Sequence, residues 1–339
     1  MYFWSEILIR KISNQQLKPE NMKIMKTFSL LILLSINILT VKGSIGDTTT
    51  VETDITLRTI TGEISGTLTI PGRSCRMPVA LIIAGSGPTD RDGNNPVMKN
   101  NSLKILAHEL AKNGIALLRY DKRGIAASKA AVKSEADLRF DDYVSDASEW
   151  IQILKNDDRF SEVIVIGHSE GSLIGMLAGT SADKFISIAG FGQSADQILK
   201  EQLGPQPKEV KDLSFPIIDS LKSGNIVDSV PPILNSLFRQ SVQPYMISWF
   251  RYDPRVEISK LSVPILIIQG TNDIQVGVEN ARQLSDANPD AEMLLINNMN
   301  HIFRITGGDR MANIATYSDI NMPVSEELVN SVTGFILGD

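Results

Sequence analysis

The sequence predicts an α/β protein: a mostly parallel sheet with antiparallel N-terminal edge strands, helices on both faces, and a helical cap insertion. Three observations carry this. Short β-branched runs alternate with helix-spaced stretches from Pro78 to Leu337. Those runs are continuously apolar, as in strands covered on both faces. Between two of them, about Gln193 to Ser262, lies a stretch with no strand-like run, broken by Pro205, Pro207, Pro216, Pro231, Pro232 and Pro244 and rich in Leu, Ile, Phe, Tyr and Trp.

The elements follow in order. "TTVETDITLRTITGEISGTLTIP" alternates at Val51, Ile55, Leu57, Ile60, Ile64, Leu68 and Ile70. With Gly62 and Gly66 as breaks, it predicts antiparallel edge strands. Pro78–Gly85 is the first buried strand. Ser102–Gly114 has helical spacing, with Ser102 as N-cap and a terminal glycine. Ile115–Tyr120 is the second buried strand, Asp141–Asp157 an amphipathic helix and Val163–Gly167 the third strand. "LIGMLAG" then predicts helix and "FISIAG" strand. After the interruption come "PILIIQG" as strand, "VENARQLSDANP" as helix, "AEMLLI" as strand and "VSEELVNSVTGFIL" as the last helix.

Composition narrows the partners. Residues 1–43 hold six Lys/Arg and two Asp/Glu, so the rest carries 27 basic and 37 acidic side chains, net −10. An acidic body argues against the phosphate neutralisation that drives nucleic-acid binding and suits a small-molecule or peptide partner. Lys23 and Lys26 precede the fourteen-residue apolar stretch Phe28–Val41, followed by the small-residue site Val41-Lys42-Gly43. This has the length of a signal-peptide core, too short to span a bilayer comfortably, and predicts an exported protein, periplasmic or extracellular, with no stable span after processing; an N-terminal anchor that is never cut is the alternative. Cys75 is the only cysteine, so neither an internal disulfide nor a thiolate metal cluster is available. The expected layout is a leader and upstream segment at 1–43, core at 44–192, cap at 193–262 and core again at 263–339.

The chemistry centres on Gly167-His168-Ser169-Glu170-Gly171. Lying between a buried strand and a helix, it has the form of a nucleophile elbow, which strains the serine backbone and lifts its hydroxyl clear at the sheet's carboxyl edge. A serine needs a base, and the base an orienting acid. There are three histidines. His108 lies mid-helix. His168 sits in the elbow, its side chain expected to point away from the hydroxyl. His301, in the polar loop after the last strand, is the base by elimination. Asp273, in the loop after "ILIIQG", is the preferred acid, with Asp196 as the alternative. Asp90, Arg91 and Asp92, like Arg119, Asp121 and Arg123, are expected to form turns and local ion pairs. Trp249, Phe250 and Tyr252 either line an acyl pocket or hold the cap down.

From about Gly62 to the end the chain resembles the α/β-hydrolases, in the branch of esterases and serine-aminopeptidase-like hydrolases. The resemblance rests on "GEISGTLTIP", "IAGSGPTDRDGNN", "LLRYDKRGIAAS", the elbow, "QGTNDIQV" and "MNHIFR" in that order. It implies a Ser169–Asp273–His301 triad cleaving small-molecule carboxylic esters through an acyl-enzyme, with no metal or organic cofactor. Relatives place one oxyanion donor after a His-Gly pair. Here Ala84-Gly85 stands instead, which makes Ser86 that donor, and the N–H of Glu170 is the second. An aminopeptidase or thioesterase is the nearest alternative; the former would need cap carboxylates such as Asp219, Asp228 or Asp253 facing the pocket. A non-catalytic binding protein on the same fold is the alternative of another class, usually marked by loss of the serine, acid or histidine.

Overall fold

The computed structural model describes residues 50–72 and 76–338. The expected leader and Cys75 lie outside the described residues. Eight strands form one sheet: β1 (Thr50–Thr59), β2 (Gly62–Pro71), β3 (Met77–Ile83), β4 (Ala116–Tyr120), β5 (Phe160–His168), β6 (Lys184–Ile188), β7 (Ile265–Gly270) and β8 (Glu292–Ile296). Their order is β1-β2-β4-β3-β5-β6-β7-β8. The β1–β2 and β2–β4 pairs are antiparallel and all others parallel. Gly66 is not a strand break. It lies within β2, opposite Ile55 and Tyr120, where a Cβ would stand 3.2 Å from the Arg119 carbonyl oxygen.

Strand periodicity sorts the core into two layers. Val79, Leu81 and Ile83 of β3 face α2 (Phe140–Lys155) and α3 (Glu170–Ala178), while Ala80 and Ile82 face α1 (Ser102–Lys112) and α11 (Glu326–Leu337). Ser102 does not cap α1. Asn101, at φ 53°, takes that place, and the Asn100 side chain and Asp92 carbonyl accept the first helical N–H groups. The chain leaves β3 toward one layer and its neighbour β5 toward the other. Their carboxyl ends therefore part to form a crevice, the usual ligand position in such sheets.

Residues 193–262 hold α4 (Ala195–Leu203), α5 (Lys208–Lys222), α6 (Asn235–Phe238), α7 (Gln243–Trp249) and α8 (Pro254–Ile258), and no strand. Aromatic packing ties this segment to the core: Trp249 stacks on Phe140 at 5.9 Å with an 11° interplanar angle, and Tyr245 and Tyr252 flank the same ring. The remaining helices are α9 (Val278–Ala287) after β7 and α10 (Arg310–Ala315) after β8.

Candidate active site

Ser169 joins β5 to α3 at φ 56°, ψ −120°. A non-glycine residue in such a conformation costs roughly 1–3 kcal/mol. The surrounding structure imposes it. The Ser169 N–H bonds the Ile188 carbonyl at 3.0 Å, and the Ser169 carbonyl accepts from Ser172 at 3.0 Å. A Cβ on Gly167 would lie 2.4 Å from the Gly171 carbonyl oxygen, and one on Gly171 only 2.2 Å from that of Ile83. Both flanks hold glycine because the start of α3 packs against the end of β5 at Gly167 and against the end of β3 at Gly171.

Asp273 and His301, from the loops after β7 and β8, meet directly: His301 Nδ1 donates to Asp273 Oδ2 at 2.7 Å. The backbone N–H groups of Gln275 and Val276 donate to Asp273 Oδ1 at 2.7 and 3.0 Å, and Gln269 Nε2 to Oδ2 at 3.1 Å. Burial works against the Asp273 charge, but the His301 imidazole and these donors outweigh it and hold the carboxyl below its ordinary value. With Nδ1 committed as donor, Nε2 of a neutral His301 keeps its lone pair. Asn300 shapes the base loop by accepting the N–H groups of Ile302 and Arg304.

His168 lies beneath that loop. Its Nε2 donates to the His301 carbonyl at 2.9 Å, and its ring packs 4.7 Å from that of His301 and edge-on to Phe303. Burial, then the neighbouring His301, pushes His168 down to about 3, so it is neutral. It supports the His301 loop, a role the sequence reading did not assign. His108, by contrast, sits at the surface against Glu52 at 2.9 Å.

The Ser169 hydroxyl makes no hydrogen bond among the described residues. It borders a void of about 10 Å³, room for about one water, shared with Ser86, Phe191, Leu199, Trp249 and Val276. The nucleophile candidate, the Ser86 donor candidate and the loop that holds Asp273 thus meet at one point. Trp249 both borders this void and stacks on Phe140.

On the far side of Glu170 opens a cavity of about 390 Å³ between the loop after β4 and the cap. Ile125, Val132, Leu138, Val242 and Met246 give it apolar walls. Its two carboxylates are already paired, Glu135 with Arg239 and Glu170 with Lys122. Lys122 is the main residue that sequence reasoning missed. It is 1% exposed and its Nζ donates to Glu170 Oε1 at 2.9 Å and to the Gly85 carbonyl at 2.6 Å. The only signal was a lysine directly beyond a buried strand.

The other candidates are held in structural contacts. Asp196 pairs with Lys222 at 3.0 Å and does not meet His301. Asp219 pairs with Lys200, Asp253 caps α8 and pairs with Arg255, and Asp228 is exposed. Asp90 accepts the N–H groups of Asp92 and Asn94, Arg91 pairs with Asp121, Asp92 with Arg119 and Arg123 with Asp146. Tyr252 donates to Asp141 at 2.5 Å, and Phe250 is buried in the cap core. Among the described residues, no group of three or more His, Cys, Asp and Glu gathers to hold a metal, and no helix is long and apolar enough to cross a membrane.

This sheet order, with the elbow after β5 and the Asp–His pair after β7 and β8, is that of the α/β-hydrolase fold. Residues 100–211 match the family described as serine aminopeptidase, S33. Esterase EstD of Thermotoga maritima is 27% identical over 267 residues, covering 74% of this chain and 60% of that protein. The chain therefore spans well under two thirds of that relative's length. Among solved structures, Est1E from Butyrivibrio proteoclasticus is similar at TM-score 0.54 and 15% identity, covering 84% of this chain and 99% of that one. Pyrococcus furiosus esterase Pf2001 is similar at TM-score 0.54 and 14% identity, covering 88% and 96%. At these identities the likeness is one of fold.

Proposed function

We propose that this protein is a carboxylic ester hydrolase working through Ser169, His301 and Asp273. The observation that carries the reading is the 2.7 Å Asp273–His301 hydrogen bond, formed by the loops after β7 and β8, on the same sheet that holds Ser169 at positive φ after β5. Similarity to EstD supports the reaction class. His301 Nε2 takes the Ser169 proton as the hydroxyl attacks the ester carbonyl. Asp273 steadies the imidazolium, and the backbone N–H groups of Ser86 and Glu170 receive the oxyanion. His301 returns the proton to the leaving alcohol, and water repeats the sequence on the acyl-enzyme. The larger substrate group enters the 390 Å³ cavity beside Glu170. The paired state of Glu135 and Glu170 favours an ester over a peptide substrate, whose free amine calls for an uncommitted carboxylate.

A chromogenic ester series from acetyl to decanoyl, run beside amino-acid anilides with Ser169→Ala as control, tests this. Serine-dependent ester turnover with inert anilides is expected. Anilide preference, or turnover surviving in the variant, would overturn it. The leader at Phe28–Val41 supports export, which N-terminal sequencing of the secreted or periplasmic protein checks by finding Ser44 first.

A further inference from the structure

Lys122 touches both halves of the proposed oxyanion hole, although it contributes no atom to the hole itself. Its ammonium donates to the carbonyl oxygen of Gly85 at 2.6 Å and to the carboxylate of Glu170 at 2.9 Å. The Gly85 carbonyl belongs to the same peptide unit as the Ser86 N–H. Because that unit is planar and trans, its C=O and N–H point in opposite directions, and fixing one end fixes the other. Glu170 supplies the second N–H, and Lys122 holds it by its side chain. One buried cation therefore spans the 85–86 peptide after β3 and the first residue of α3, which come from separate segments of the chain.

We infer that Lys122 is a positioning residue that sets the spacing and direction of the two oxyanion donors, Ser86 N–H and Glu170 N–H. A hydrogen bond from an ammonium to the Gly85 oxygen also polarises that amide and strengthens its N–H as a donor.

The lysine is itself held in place. Both charges are 1% exposed, and Nζ lies 4.9 Å from the centre of the Tyr143 ring. The Tyr245 hydroxyl faces the Glu170 carboxylate. The next residue, Arg123, ties the loop to α2 through Asp146 and donates to the Ala131 carbonyl at 2.9 Å. The buried ammonium has three N–H donors to satisfy, and it gives one to the Gly85 oxygen and one to Glu170. Gly85 also packs against Ser169: a Cβ there would lie 3.1 Å from the Ser169 Cβ.

This inference rests on the ester-hydrolase reading, and the test separates the two. Lys122→Met leaves the Glu170 carboxylate buried alone, so the double variant Lys122→Met/Glu170→Gln, which strands no charge and keeps the Glu170 N–H, carries the test if the single one fails to fold. Steady-state ester kinetics, affinity for a trifluoromethyl ketone that forms a tetrahedral adduct on serine, and thermal melting are measured together. Losing one oxyanion donor outright costs about 10²–10³ in kcat, so misaimed donors should lower kcat by about 10- to 100-fold with KM changed less than about threefold. Ketone affinity should fall by the same factor as kcat/KM.

A lower melting temperature with kcat and ketone affinity unchanged would make Lys122 a structural residue only and overturn the inference. A rise in KM alone would overturn it as well. Turnover that survives Ser169→Ala, or a wild-type protein with neither turnover nor adduct, would instead overturn the hydrolase reading and this inference with it.

Discussion

Acid should unfold this protein partly through one ring. His168 is neutral in the folded state, lowered from 6.5 to about 3 by burial and by His301. Between those two values the unfolded chain takes up a proton that the folded chain refuses. The unfolded state thus binds more protons, and stability falls as pH falls through this window, being fully present above about 6.5. One pH unit there is worth about 1.4 kcal/mol, so going from pH 7 to pH 5 costs about 2 kcal/mol from this residue. His168→Gln removes the titration while keeping a side-chain amide able to donate toward the His301 carbonyl. Urea unfolding at pH 7 and pH 5, on both proteins, isolates the term. The wild type should lose about 2 kcal/mol more than the variant. Equal losses would mean that the folded protein accepts a proton at His168, and the account of this ring as a neutral support for the base loop would fail.

Asp273→Asn should cut kcat by up to about 10⁴-fold by favouring the wrong His301 tautomer, with KM little changed, as steady-state kinetics on the best ester would read. Gly171→Ala drives a methyl to 2.2 Å from the Ile83 carbonyl oxygen. A loss of several kcal/mol is expected, seen as a large drop in melting temperature, whereas a near-neutral result would contradict the close packing of α3 on β3. Lys129 and Lys133 are exposed at the 390 Å³ cavity, and among its lining charges they are the ones without an ion pair in the described residues. An ester carrying a carboxylate on its larger group should therefore bind better than its neutral analogue. Lys129→Gln/Lys133→Gln should raise KM for the anionic ester about three- to tenfold, an effect that fades with added salt.

What could be read in the sequence was whatever depends on local order. The alternation of strands and helices follows from hydrophobic spacing, and the elbow from glycines that answer to a turn a few residues wide. His301 stood out because histidine is so scarce, and Asp273 because it follows a β-rich run. Both came from scarcity and place in the chain; their 2.7 Å contact did not. Residues whose meaning lies in distant partners stayed hidden. Lys122 acts on Gly85 and Glu170, 37 and 48 positions away, and His168 on a carbonyl 133 positions away. Gly66 looked like a break because a glycine in a strand signals either a turn or a crowded neighbour, and only the pairing with β4 distinguishes them. The Asn100–Asn101 start of α1 was masked for the same reason: Ser102 is the better isolated cap, but Asn100 and the Asp92 carbonyl had already taken the N–H groups.

Under the ester-hydrolase reading, the 10 Å³ void beside Ser169 makes the 193–262 segment a gate to the hydroxyl. On that reading an acyl group needs more room than one water, and Phe191, Leu199 and Trp249 are the side chains whose separation would supply it. Trp249 cannot yield without disturbing its stack on Phe140. Access to the chemistry is thus coupled to a packing contact at the start of α2. If ester turnover waits on the parting of that aromatic seam, a solvent of higher viscosity should lower kcat while leaving the bond-breaking step untouched.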